Sequence, residues 1–171
     1  MTKKNSSEIE HKDFSLTRVF NAPRDVVFKV WTDAEHVKKW WGPKGFTTTF
    51  CKVDFRPGGF CHYCMRSSEG RDYWGKGTYL EIDAPKKLVI RDTFSDAQGN
   101  LVSPIEYGLN EWPEETQWVV TFDALKEKTR VTIHIGVSEE VAKSQGAEQG
   151  WTETLDHLDE YLENFKKDRN G

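Results

Sequence analysis

The sequence predicts an α+β fold: a curved antiparallel sheet of about six to seven strands around a long C-terminal helix, with two short helices after the first strand. Three observations predict it. Between residues 46 and 137, short apolar-rich runs are separated by turn residues, the pattern of an antiparallel meander. Near the C-terminus, Trp151, Leu155, Leu158 and Leu162 recur at i, i+4, i+7 and i+11, one continuous helical stripe. Between the first strand and the meander, Pro23 and Asp33 mark the starts of two short helices. A long meander has an apolar face to cover, and the last helix is the element with enough apolar stripe to cover it. A bowed sheet and a straight helix do not fit together completely, so the arrangement predicts a cavity lined by aromatic side chains.

Each element follows from local chemistry. Residues 1–13 are polar and charged and read as a flexible N-terminal tail. One domain spans 14–165, and 166–171 reads as a flexible C-terminus. Phe14, Leu16 and Phe20 alternate with polar residues as a first strand. Pro23 presets the backbone of the helix that follows, whose apolar face is Val26, Val27, Val30 and Trp31. Asp33 caps a second helix to Trp41, which Gly42-Pro43 stops. Strands are expected at 46–55, 60–66, 73–82, 88–94, 117–122 and 130–137. The polar stretch from Asp96 to Glu115 is a loop of a length that tends to be functional or mobile. Ser138 caps the final helix, with Glu139 and Glu140 in its first turn, and Gly146 and Gly150 mark a bend near its start.

Composition excludes several classes. Among 171 residues, 24 Lys plus Arg stand against 28 Asp plus Glu, a net charge of −4 that provides no general field for nucleic acid. No apolar run approaches the roughly 18 residues of a membrane span. The first residues lack the apolar centre of a secretory signal, and three Cys without such a signal suit a reducing cytoplasm. Aromatic residues reach 13%, enough large side chains for one core.

Four segments carry a resemblance: FNAPRDVVFKVWTDAEHVKKWWGPKGF from Phe20 to Phe46, DFRPGGFCHYCMR from Asp54 to Arg66, GTYLEIDAPKKLV from Gly77 to Val89, and GWTETLDHLDEYL from Gly150 to Leu162. In order and spacing they resemble the START-like (SRPBCC) superfamily, in the group related to the C-terminal domain of the activator of Hsp90 ATPase. The resemblance implies the helix-grip fold and a hydrophobic-ligand or chaperone-related role. It carries over no shared catalytic constellation, because relatives include lipid carriers, polyketide cyclases and co-chaperone domains.

Individual residues sharpen this. Cys61-His62-Tyr63-Cys64 contains a CxxC, but residues three apart on a strand face opposite ways, so no metal site is expected. Cys61, Tyr63 and Met65 share one face and are expected to look inward. Trp40 and Trp41 either plug the end of the sheet or stack on a ligand. Leu88, Ile90, Asp92 and Phe94 alternate on one face, and a carboxylate facing a cavity there would orient a polar ligand group or act as a base, unless the face is partly solvated or an Arg pairs with it. His36 and His157 are expected to face solvent. No Ser/His/Asp arrangement or phosphate-binding glycine loop is legible, and Gly75 and Gly77 lie within a strand.

The expected function is non-enzymatic binding of a small hydrophobic ligand, with no cofactor. The candidate lining residues are Trp41, Phe55, Tyr63, Tyr79, Asp92, Phe94, Trp118, Phe122, Trp151 and Leu155, with Tyr107 of the long loop at the mouth. Two alternatives stay open: a partner of a bacterial Hsp90-type chaperone, and a cyclase- or hydratase-type enzyme using Asp92 or a Tyr.

Overall fold

The structure, a computed structural model, describes residues 12–170. Most of the expected N-terminal tail lies outside the described residues. The chain runs β1 (Asp13–Phe20), α1 (Arg24–Thr32), α2 (Ala34–Trp40), β2 (Phe46–Asp54), β3 (Phe60–Ser67), β4 (Asp72–Asp83), β5 (Lys87–Ser95), a 3-10 turn (Pro104–Tyr107), β6 (Glu115–Leu125), β7 (Lys128–Ser138), α3 (Glu139–Ser144) and α4 (Ala147–Asn170). The strands form one antiparallel sheet in the order β1-β7-β6-β5-β4-β3-β2. The meander from β2 to β7 is therefore continuous, and β1 closes it beside β7. The helices α1 and α2 carry the chain from one sheet edge to the other.

Local signals explain the boundaries. Pro23 sits at the N-cap of α1, and its carbonyl accepts from Val26 and Val27 at 3.1 and 3.0 Å. The Asp33 carboxylate caps α2 by accepting from the Glu35 amide at 3.0 Å. The Ser138 hydroxyl caps α3 through the Val141 amide at 3.2 Å. Register shifts at Thr48/Phe50 and Tyr79/Glu81 introduce bulges that bend β2 and β4.

The C-terminal helix differs from expectation in two ways. It is broken: α3 ends at Ser144, and Gly146 adopts a φ of 82° before α4 begins. That left-handed conformation favours glycine, so the bend became a break at this residue. The helical backbone then continues to Asn170, through the segment read as a flexible C-terminus.

The helix stripe and the sheet meet over a solid core. Phe20, Val27, Val30, Leu88, Val120, Phe122, Val131, Ile133, Ile135, Leu155, Leu158 and Leu162 are almost completely buried. Phe28 joins this core from α1, while Val26 is only half-buried. Among the described residues, no helix is long and apolar enough to cross a membrane.

Candidate functional site: an aromatic cavity with one carboxylate

The solid core occupies only part of the space between sheet and helix. Beside it lies a cavity of about 310 Å³. The sheet supplies Phe46, Tyr63, Met65, Tyr73, Asp92, Phe94 and Trp118, and the segment after α2 supplies Trp41 and Pro43. The long loop supplies Tyr107, Leu109 and Trp112. The opposite wall is the break between α3 and α4 and the first two turns of α4: Gln145, Gly146, Ala147, Gly150, Trp151 and Thr154. A second chamber of about 40 Å³ lies deeper, between Trp31, Val37, Cys61, Gly77, Tyr79, Leu88 and Ile90. Trp41, Tyr63, Asp92 and Trp118 border both spaces.

Small residues on the helix make the room. Nothing lies within 4 Å of where a Cβ would stand on Gly146 or Gly150. On the sheet the glycines do the opposite. The Tyr63 phenol lies over Gly75, where a side chain would overlap it, and a Cβ on Gly77 would sit 2.8 Å from Ile90 Cγ2. Gly75 and Gly77 thus let Tyr63 and Ile90 lie flat along the sheet.

The aromatic wall is self-supporting. Trp41 and Trp151 meet edge to face at 5.3 Å between centroids, as do Trp118 and Trp151 at 5.2 Å and Trp41 and Tyr63 at 5.4 Å. Such contacts fix ring orientation beyond what burial alone does. Trp118 Nε1 donates to Thr116 Oγ1 at 3.0 Å, while Trp31 Nε1 is buried without a hydrogen-bond acceptor. The loop is tied down at the mouth. The Tyr107 hydroxyl donates to the Ser95 carbonyl at 2.8 Å, and its ring packs on Tyr73 and Phe94. The Glu111 amide donates to Gln145 Oε1 at 3.2 Å, joining the loop to the helix break.

Asp92 stands apart chemically. Its side chain is buried in the cavity wall, on the β5 face expected from the alternation, opposite Gly77 of β4. Among the described residues it accepts no hydrogen bond and has no ion-pair partner; the Arg that pairing would require is absent. Burial pushes its pKa well above the ordinary carboxylate value. Tyr63 is raised as well, first by burial and then by the neighbouring Asp92.

The expected lining residues divide. Trp41, Tyr63, Asp92, Phe94, Tyr107, Trp118 and Trp151 line the larger cavity, and Tyr79 lines the deeper chamber. Three do not line it. Phe55 lies beyond the end of β2, 37% exposed, packed on Phe28 and Tyr79. Phe122 is fully buried against Phe28 and Trp31, and Leu155 is fully buried in the solid core. Both occupy the right face of their elements but the wrong end. Trp40 also belongs to the core, its indole donating to the Val30 carbonyl at 3.0 Å.

Met65, expected to look inward with Cys61 and Tyr63, lines the cavity. The lining contributed by Phe46, Tyr73, Leu109, Trp112 and the helix break escaped the sequence reading; the loop residues had no periodicity to reveal them. Two histidines also differ from expectation. His36 is half-buried with Nδ1 2.7 Å from the Tyr161 hydroxyl, and His157 Nδ1 lies 2.7 Å from the Gly42 carbonyl.

Cys61 and Cys64 face opposite sides of β3, as a strand requires. Cys64 is buried on the outer face, while Cys61 points inward beside Cys51 of β2. The neighbouring thiols shift one another's pKa, Cys51 downward and Cys61 upward, and burial raises Cys61 further. Among the described residues, no group of three His, Cys, Asp or Glu side chains is placed to hold a metal ion.

A curved antiparallel sheet gripping a C-terminal helix, with two short helices after the first strand and a cavity along the helix, defines the START-like class of domain. Residues 21–163 match the family described as "Activator of Hsp90 ATPase homolog 1-like protein", and the chain belongs to that family. Solved structures agree. A protein from Arthrobacter aurescens is 28% identical with a TM-score of 0.76, covering 91% of this chain and 88% of its own. A protein from Nitrosomonas europaea is 25% identical with a TM-score of 0.73, covering 91% and 96%. An AHSA1 protein from Silicibacter pomeroyi, 20% identical with a TM-score of 0.70 and covering 88% and 97%, shares the fold. No curated protein matches the chain.

Proposed function

We propose that the protein binds a small, predominantly apolar, aromatic molecule in the cavity beside α4 and does not transform it covalently. The observation that carries this reading is the cavity of about 310 Å³, walled on the sheet side by Trp41, Tyr63, Phe94 and Trp118 and left open on the helix side by Gly146 and Gly150. Removing about 200 Å² of apolar ligand surface from water contributes about 5 kcal/mol before the costs of association. Flat aromatic walls favour a planar ligand body, since stacked and edge-to-face contacts add to that burial.

The test is a panel of one- to three-ring aromatic compounds, read by thermal shift and by quenching of intrinsic Trp fluorescence. The expected result is a rise in melting temperature with quenching for bicyclic members, abolished in Gly150→Leu, whose side chain enters the cavity. A panel that moves neither signal overturns the reading.

The family's description favours a second reading, association with an Hsp90-type chaperone. Pull-down with a bacterial Hsp90 and an assay of its ATPase test it. Retention and stimulation at tens of micromolar support it; neither signal at that concentration counts against it.

A further inference from the structure

We infer that the cavity is built for a ligand carrying one protonated nitrogen, an ammonium or amidinium group on an aromatic body, which pairs with Asp92 at the boundary of the two chambers. The inference rests on the binding function proposed above and specifies its chemistry.

Four features of the site converge on it. Among the described residues, Asp92 is the one Asp, Glu, Lys, Arg or His side chain in the wall of either chamber. It is about nine-tenths buried, yet no described residue donates a hydrogen bond to it or neutralises it. A structural carboxylate at that depth is ordinarily satisfied by the protein, because leaving it bare costs stability. Trp41, Tyr63 and Trp118 border the same two chambers as Asp92, and aromatic ring faces attract cations and repel anions. Finally, Gly77 faces Asp92 across the β4–β5 pairing, so no side chain from that neighbouring position covers the carboxyl group.

The surrounding titratable groups offer a negative ligand no positive charge. From β3, Cys61 and Tyr63 face the carboxyl; from β2 and β4, Cys51 and Tyr79 adjoin Cys61. Tyr63, Tyr79 and Cys61 are each held above their ordinary pKa and so are neutral. β6 presents the uncharged Trp118, and α4 presents Trp151 and Thr154. Among the described residues, no cation lines either chamber to meet a ligand carboxylate. A protonated amine instead supplies the missing positive charge, and its pairing with the Asp92 carboxylate leaves the filled site with a net charge of zero.

The closing experiment uses the full chain and three probes of matched shape in isothermal titration calorimetry at pH 7: 1-naphthylmethylamine, 1-naphthalenemethanol and 1-naphthoate. The expected result is that the amine binds about tenfold or more tighter than the alcohol, as a desolvated cation–carboxylate–aromatic contact allows, and that the naphthoate binds weakest. Asp92→Asn, checked for folding by circular dichroism, is expected to abolish the preference for the amine over the alcohol. Alcohol binding as tight as the amine, or an amine preference indifferent to Asp92→Asn, overturns the inference while leaving the apolar-ligand function standing. Absence of heat with all three probes to millimolar concentration removes both.

Discussion

The two halves of the interior share the same sheet and the same helix, but they are built from different chemistry. At one end, α4 presents Leu155, Leu158 and Leu162 to Phe20, Val120, Phe122 and Ile133, and every one of these side chains is essentially inaccessible. At the other end, the break before α4 and the start of that helix present Gly146, Gly150 and Trp151, and the sheet answers with Tyr63, Asp92, Phe94 and Trp118. Individual strands make the same change. β5 goes from buried Leu88 to Asp92 and Phe94, and β6 goes from Phe122 back to Trp118. Branched aliphatic side chains interlock and fill volume. Rigid rings propped edge to face, opposite glycine, leave volume open without collapsing into it. One half is therefore filled and the other holds the open volume.

The contrast is sharpened by truncating each half in turn. Leu158→Ala leaves a void in the filled half and is expected to cost about 2–5 kcal/mol by urea denaturation. Leu109→Ala, at the loop mouth of the open half, is expected to cost about 1 kcal/mol or less. Equal losses would mean that the two halves are equally packed.

The next effect is electrostatic. Because burial raises the Asp92 pKa in the folded protein, the folded state keeps a proton that the unfolded chain gives up near its ordinary carboxylate pKa. The wild type is thus fully stable with respect to this group below about pH 4. It loses about 1.4 kcal/mol per pH unit as pH rises from there toward the raised folded value. Asp92→Asn removes the loss. Its melting temperature is expected to match the wild type near pH 4 and to exceed it by a margin that grows as pH rises toward the raised folded value. A constant difference across that range would show that Asp92 is solvated in the folded protein.

The smallest effect is at Gly150. Its backbone is helical and its Cβ direction is open. Gly150→Ala is expected to stabilise by up to about 1 kcal/mol from helix propensity, measured by thermal melting, while narrowing the cavity. A loss of stability would place Gly150 in the filled half.

The fold was legible because its signals are periodic or local. Alternation marked the strands, the stripe from Trp151 to Leu162 marked α4, and Pro23, Asp33 and Ser138 marked helix starts. Alternation also placed Asp92 and Phe94 on the inner face. What the sequence does not encode locally is position along an element. Phe122 and Trp118 share one face of β6, as do Leu155 and Trp151 on α4, and only the tertiary offset of helix and sheet decides which of each pair meets the cavity. Tyr107, Leu109 and Trp112 reach it through a loop whose path depends on contacts such as Tyr107 with Ser95. The resemblance covered the elements but assigned no residue in the cavity.

The measurement closest to the central claim uses the Trp indoles as position markers. In a titration of the 15N-labelled protein with 1-naphthalenemethanol, two-dimensional NMR reports each indole N–H separately. The account predicts that Trp41, Trp112, Trp118 and Trp151 shift while Trp40, locked to the Val30 carbonyl in the filled half, does not. Shifts confined to the outer-face Trp74, or spread equally to Trp40, would contradict it.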